Sequence, residues 1–126
     1  MRKFIIGIIV LSLLLATGLM VTMVTENMYA PIITLLEDAT EYALSGSFAD
    51  AKAKAEEAKT LWNKHKNATA TVADHTPMEE IDHLFAETDI YARTEEIPHF
   101  AACCGQLAVM IRDMGNAQAL NLWNLL

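Results

Sequence analysis

The stretch "SGSFADAKAKAEEAKTLW", Ser45 to Trp62, decides how the chain is read. Gly46 between two serines marks a turn. Phe48, Ala51, Ala55, Ala58, Leu61 and Trp62 then recur at spacings of three and four, the period of one helix face. That face is a narrow seam of small residues closed by large ones. Small side chains let neighbouring helix backbones approach closely, so this helix is expected to pack tightly against the one before the turn. Its C-terminal limit lies beyond His65. The β-branched Thr69, Thr71 and Val72 and the poor helix former Asn67 make 67–74 a stretch where it can fray, bend or stop.

Working outward toward the N-terminus, Ile32, Leu35, Leu36, Ala39, Ala43 and Leu44 form the matching stripe of a preceding helix. Pro31 suits its first turn, and Gly46 suits a left-handed cap at its end. In the other direction, Thr76-Pro77-Met78-Glu79 carries a capping threonine, a first-turn proline and a capping-box acid. The helix that follows bears Met78, Ile81, Phe85, Thr88 and Ala92 on one face, with Leu84 and Tyr91 beside it. Thr94-Glu95-Glu96-Ile97-Pro98 is expected to start a further helix with acids and proline in its first turn. Phe100, Cys103, Cys104, Leu107, Met110, Ile111 and Met114 are its apolar stripe, and Gly115-Asn116 is expected to stop it. No segment shows sustained period-two alternation. The fold class is therefore all-α, a small antiparallel helical-hairpin or four-helix domain preceded by a membrane helix.

That membrane helix is read from Phe4 to Val24, where no residue is charged. At 1.5 Å per residue this run makes a helix of roughly 31 Å, the thickness of a bilayer's hydrocarbon core. A cleaved leader has a shorter apolar region ending at a small-x-small site. Met28-Tyr29-Ala30 matches that pattern poorly, so an uncleaved signal-anchor is expected. Arg2 and Lys3 directly precede the run, which places the N-terminus in the cytoplasm and the bulk of the chain outside. The organisation expected is a cytoplasmic N-terminus and transmembrane anchor over 1–24, then an extracytoplasmic helical domain over 25–126, with the lipid bilayer contacted through residues 4–24.

Seven of the nine Lys/Arg and all sixteen Asp/Glu lie after residue 24, leaving that region a net charge of −9. Such a surface repels nucleic-acid phosphates and anionic headgroups. Cations or a basic protein surface are the partners it suits, and nucleic acid is not.

Two resemblances add to this. Gly46-x-Phe48-x-x-Ala51-x-x-x-Ala55-x-x-Ala58 is similar to the turn and second helix of a tetratricopeptide repeat. No second copy follows one repeat length later, so the likeness implies one tight hairpin and not a solenoid. More broadly, the N-terminal anchor, this hairpin, Trp62, the pattern His75-x-x-x-Glu79-x-x-Asp82 and a further amphipathic helix together resemble a family of small bacterial membrane-anchored proteins. That family is known only as a domain of unknown function. Asn124-Leu125-Leu126 is the counterpart of its short tail. The resemblance implies fold and location and assigns no catalytic residue.

Chemistry rests on histidines and acids. Glu80-x-x-His83 and Glu96-x-x-His99 repeat a spacing that di-iron bundles use, and Glu41 with Glu56 or Glu57 could supply the remaining carboxylates. Metal ligands in such bundles project inward, however, and here the apolar stripe holds the inward positions. His75, Glu79, Asp82 and His83, with Glu80, are the candidate metal ligands. The competing account makes His75, with Glu79 and Asp82, a polar knot fixing two helices, with Trp62 and His65 approaching from the other side. Gly46, Phe48, Trp62 and His75 are assigned structural roles.

Cys103 and Cys104 are adjacent, a separation along a helix that disfavours a bridge between them. They read as buried thiols, with an intermolecular disulfide as the alternative. Asn67-Ala68-Thr69 matches a glycosylation pattern that is common by chance. The apolar tail Leu120, Leu122, Trp123, Leu125 and Leu126 either packs on the core or supports self-association. The function expected is a non-catalytic structural or protein-interaction module on the outer face of the cytoplasmic membrane, docking another envelope protein or itself, without cofactor. The alternative is a metal-binding helical domain.

Overall fold

The computed structural model describes the backbone of residues 1–69 and 75–125, and the side chains of 1–20, 28–66 and 77–117. Its described residues form four α-helices and no strand: α1 (Arg2–Leu44), α2 (Phe48–Thr69), α3 (His75–Thr94) and α4 (Ile97–Leu125). α1 packs between α2 and α4, α3 packs on α4, and α2 touches α3 only sparsely.

The apolar span and the first bundle helix are one element. α1 passes residue 24 without interruption, so the change from exposed span to packed helix is a change of composition along a single helix. Pro31, expected in a first turn, lies inside it. An internal proline removes one backbone hydrogen bond. Pro31 is exposed, so its ring is kept out of the packed interface while Ile32 and Leu36 beside it are buried. Arg2–Met20 has a mean hydropathy of 2.3 and is long and apolar enough to cross a membrane. Only 6% of it is buried, unlike a core helix of similar composition.

The two connections among the described residues, α1 to α2 and α3 to α4, are closed by one device. After α1, Ser47 N–H donates to Tyr42 O at 2.8 Å while Gly46 takes φ 90°. After α3, Glu96 N–H donates to Tyr91 O at 3.1 Å while Glu95 takes φ 57°. Each is a six-to-one Schellman closure, with a left-handed residue where glycine is cheapest. Glu95 therefore ends α3 and is not part of the first turn of α4, which begins at Ile97 and has no acid in its first turn.

The core divides along the bundle. Nearer the span, Tyr29, Ile32, Leu36, Trp62, Ile81, Phe85, Leu107 and Ile111 make a cluster of large side chains. At the far end Ala39, Ala43, Ala51 and Ala55 pack around Phe100 and Cys104. Alanines there bring α1 and α2 close, and Phe48 meets Phe100 edge-on at 5.2 Å. The expected stripes hold, with two corrections. Leu44 is 72% exposed, because the chain leaves the bundle at the turn beside it. Gly115 and Asn116 do not stop α4. Gly115 is buried against α1, near Tyr29 and Ala30, and this packing offsets the roughly 1 kcal/mol that glycine costs a helix.

Candidate functional site at the junction of α2 and α3

Trp62 is the largest fully buried side chain among the described residues, and a buried indole N–H needs an acceptor. Asp82 supplies it from α3: Trp62 Nε1 donates to Asp82 Oδ1 at 2.8 Å. One turn beyond Trp62, Lys66 brings Nζ to 3.2 Å from Asp82 Oδ2. The carboxylate thus binds a buried neutral donor with one oxygen and a cation with the other. The indole also stacks on Phe85, with centroids 6.4 Å apart and planes inclined by 28°. The backbones of α2 and α3 come close at few points, and this knot and the stacked rings link them there.

The structure brings together only part of the expected cluster. Asp82 is in it. Glu79, Glu80 and His83 are exposed, facing away from the core, and the side chain of His75 lies outside the described residues. Lys66 was missed by sequence reading, although its position four residues after Trp62 on one helix face was the available signal. Glu96 and His99 are also exposed, with His99 stacked on Tyr91 at 5.1 Å. Glu41, Glu56 and Glu57 are exposed as well. The two Glu-x-x-His pairs therefore do not converge on the bundle interior. Among the described residues, no three His, Cys, Asp or Glu side chains are grouped to hold a metal ion.

The grooves are small. The one between α2 and α3, beside Lys52, Lys59, Thr88 and Asp89, offers about 20 Å³, room for roughly one water. A more open one of about 220 Å³ lies between α1 and α4, flanked by Tyr29, Ile33, Ile111 and Arg112. Both fall below the several hundred Å³ common for small-molecule sites. Above the second groove, Arg112 Nη2 meets Glu37 Oε1 at 2.6 Å, an ion pair joining α4 to α1.

Cys103 and Cys104 are free and buried, one in each core cluster. Burial pushes the Cys103 thiol up from its ordinary value, with Glu87 adding to the rise and the interaction with the Thr88 side chain opposing it. Burial, with Cys103 adjacent, pushes Cys104 up to about 12. Thiolate is the reactive form, and burial disfavours it at both sulfurs.

An apolar, exposed N-terminal helix that continues into a compact four-helix bundle defines a class: small helical proteins with one potential membrane span. More particularly, the family model for a domain of unknown function, DUF4363, matches residues 19–125, and the chain belongs to that family. No curated protein and no solved structure gives a significant match.

Proposed function

We propose that this chain is a non-catalytic docking module, tethered to the cytoplasmic membrane by α1 and presenting its bundle on the outer face to another membrane or envelope protein. The observation that carries the reading is the continuity of α1 from the exposed apolar run into the core. A flexible linker would let the domain search space. A single helix instead holds it close to the bilayer in one orientation, which suits a scaffold that meets a partner at fixed height.

Arg2 and Lys3 before the span support the outward orientation. The net charge of −9 beyond it favours a partner with a basic surface. Leu44, Ile90 and Val109 are exposed apolar side chains on the bundle, where a polar surface would suffice for solubility alone.

Photo-crosslinking residues placed at Leu44, Ile90 and Val109 of the full chain, in cells, test the proposal. One discrete protein adduct recurring from at least one position is expected. The absence of adducts from all three would overturn it.

A further inference from the structure

α2 and α3 carry opposite charges at one shared spacing. Lys52, Lys59 and Lys66 stand seven residues apart on α2. Asp82 and Asp89 stand seven apart on α3, and Glu96, in the turn just past it, continues the count. Seven residues are close to two helical turns, about 10 Å, so each row keeps to one side of its helix. The two helices run antiparallel: Lys66 meets Asp82, while Lys52 and Lys59 flank the same groove as Thr88, Asp89 and Ala92. Each seven-residue step back along α2 therefore matches a seven-residue step forward along α3. Opposed rows of this kind fix the register and direction of paired helices.

Only the first of the three pairs is closed. Lys66 Nζ lies 3.2 Å from Asp82 Oδ2, beside the indole bond from Trp62. At the second, Asp89 is held instead by Arg93 of its own helix at 2.9 Å, and among the described residues Lys59 has no ion pair. At the third, Lys52 Nζ rests 5.1 Å from the Phe48 ring centroid, and Glu96 accepts a long 3.5 Å contact from the Thr94 hydroxyl. The groove that Lys59 and Asp89 share holds about 20 Å³, so little movement separates open from closed. Arg93 is a weak competitor, because its side chain is 78% exposed and such pairs within one helix contribute little.

We infer that the seam between α2 and α3 is a charge clasp, hinged at the Trp62–Asp82 knot, which closes when Lys59 takes Asp89 from Arg93 and Lys52 follows toward Glu96. Closing draws the far part of α3 onto α2 over the buried Thr88. The pairs beyond the knot are half-exposed or exposed, so dissolved salt screens them, whereas the knot keeps its buried indole bond. Ionic strength around the bundle thereby sets the position of α3. Ile90, exposed on α3, moves with it; that consequence rests on the docking reading above, and the clasp itself does not.

The test is zero-length carbodiimide coupling of the purified full chain in uncharged detergent, which joins a lysine amine to a carboxylate in contact with it, with the pairs identified by peptide mass spectrometry. In about 0.01 M salt a Lys59–Asp89 product is expected beside the Lys66–Asp82 product; in about 1 M, where the screening length shortens from roughly 30 to roughly 3 Å, its ratio to the Lys66–Asp82 product is expected to fall by about threefold or more. Arg93→Gln removes the competing cation and is expected to raise the Lys59–Asp89 product by about threefold in low salt. Lys66–Asp82 coupling with no Lys59–Asp89 product, in the unaltered chain and in Arg93→Gln alike, would overturn the clasp. A Lys59–Asp89 product indifferent to salt would also overturn it, as a fixed pair, and absence of the Lys66–Asp82 product would remove its hinge. No partner is present in this experiment, so its failure would leave the docking reading standing.

Discussion

Trp62 and Asp82 are joined by a 2.8 Å hydrogen bond from a fully buried indole to a carboxylate that also holds Lys66. It links two helices whose backbones come close at few points, so its partners should not be interchangeable. Asp82→Ala leaves the indole N–H unsatisfied and is expected to cost about 1–3 kcal/mol. Asp82→Asn keeps an acceptor and loses only a part-exposed ion pair, costing under about 1 kcal/mol. Denaturant unfolding of the full chain in detergent separates the two. Equal losses would mean that the indole bond does not stabilise the junction.

The two hairpin turns make a paired prediction of opposite sign. Gly46→Ala forces a Cβ into φ 90° and is expected to destabilise by about 1 kcal/mol. Glu95→Gly removes the corresponding strain at φ 57° and is expected to stabilise, by up to about 1 kcal/mol after the entropy of the unfolded chain is counted. Thermal melts of both variants check this. A Glu95→Gly variant that melts lower would show that its side chain stabilises the turn.

Cys103 and Cys104 should resist alkylation. In native protein at pH 8, iodoacetamide is expected to label neither in the time that labels both in denaturant. The sign of the pH effect follows from the raised thiols. The stability contributed by keeping Cys104 neutral is complete below the ordinary thiol value of 9.0 and is lost as pH rises toward about 12. Rapid native labelling at pH 8 would show an opening of the bundle that exposes α4.

The exposed pair Glu80 and His83 gives a prediction about metal. His83→Ala is expected to change stability by less than about 0.5 kcal/mol, and EDTA to leave the melt of the unaltered chain where it was. A melt lowered by chelator and restored by a transition metal would revive the metal-binding alternative.

Most of the fold was legible because the bundle's stripes are strongly periodic: Ala51, Ala55, Ala58 and Trp62 on one helix and Phe100 to Met114 on another. The misses were at element ends, where local propensity and packing disagree. Pro31 reads as a helix start, yet a helix already running from the apolar span passes through it. Gly115 reads as a stop, yet α1 covers it and the helix continues. Glu95 has none of glycine's conformational freedom but occupies glycine's place in a turn, which only tertiary closure of α3 on α4 imposes. At the candidate site, Asp82 was legible from its spacing near His75. Trp62 was legible as a neighbour from the other helix, whereas Lys66 was not, because its ion pair depends on how the two helices meet.

Whether α1 is tether as well as core helix is read from alkaline carbonate extraction of membranes from cells producing the full chain. The protein is expected to stay in the membrane pellet, and Leu14→Arg within the span to release a folded bundle to the supernatant. Full-length, unaltered protein recovered in the supernatant would contradict it.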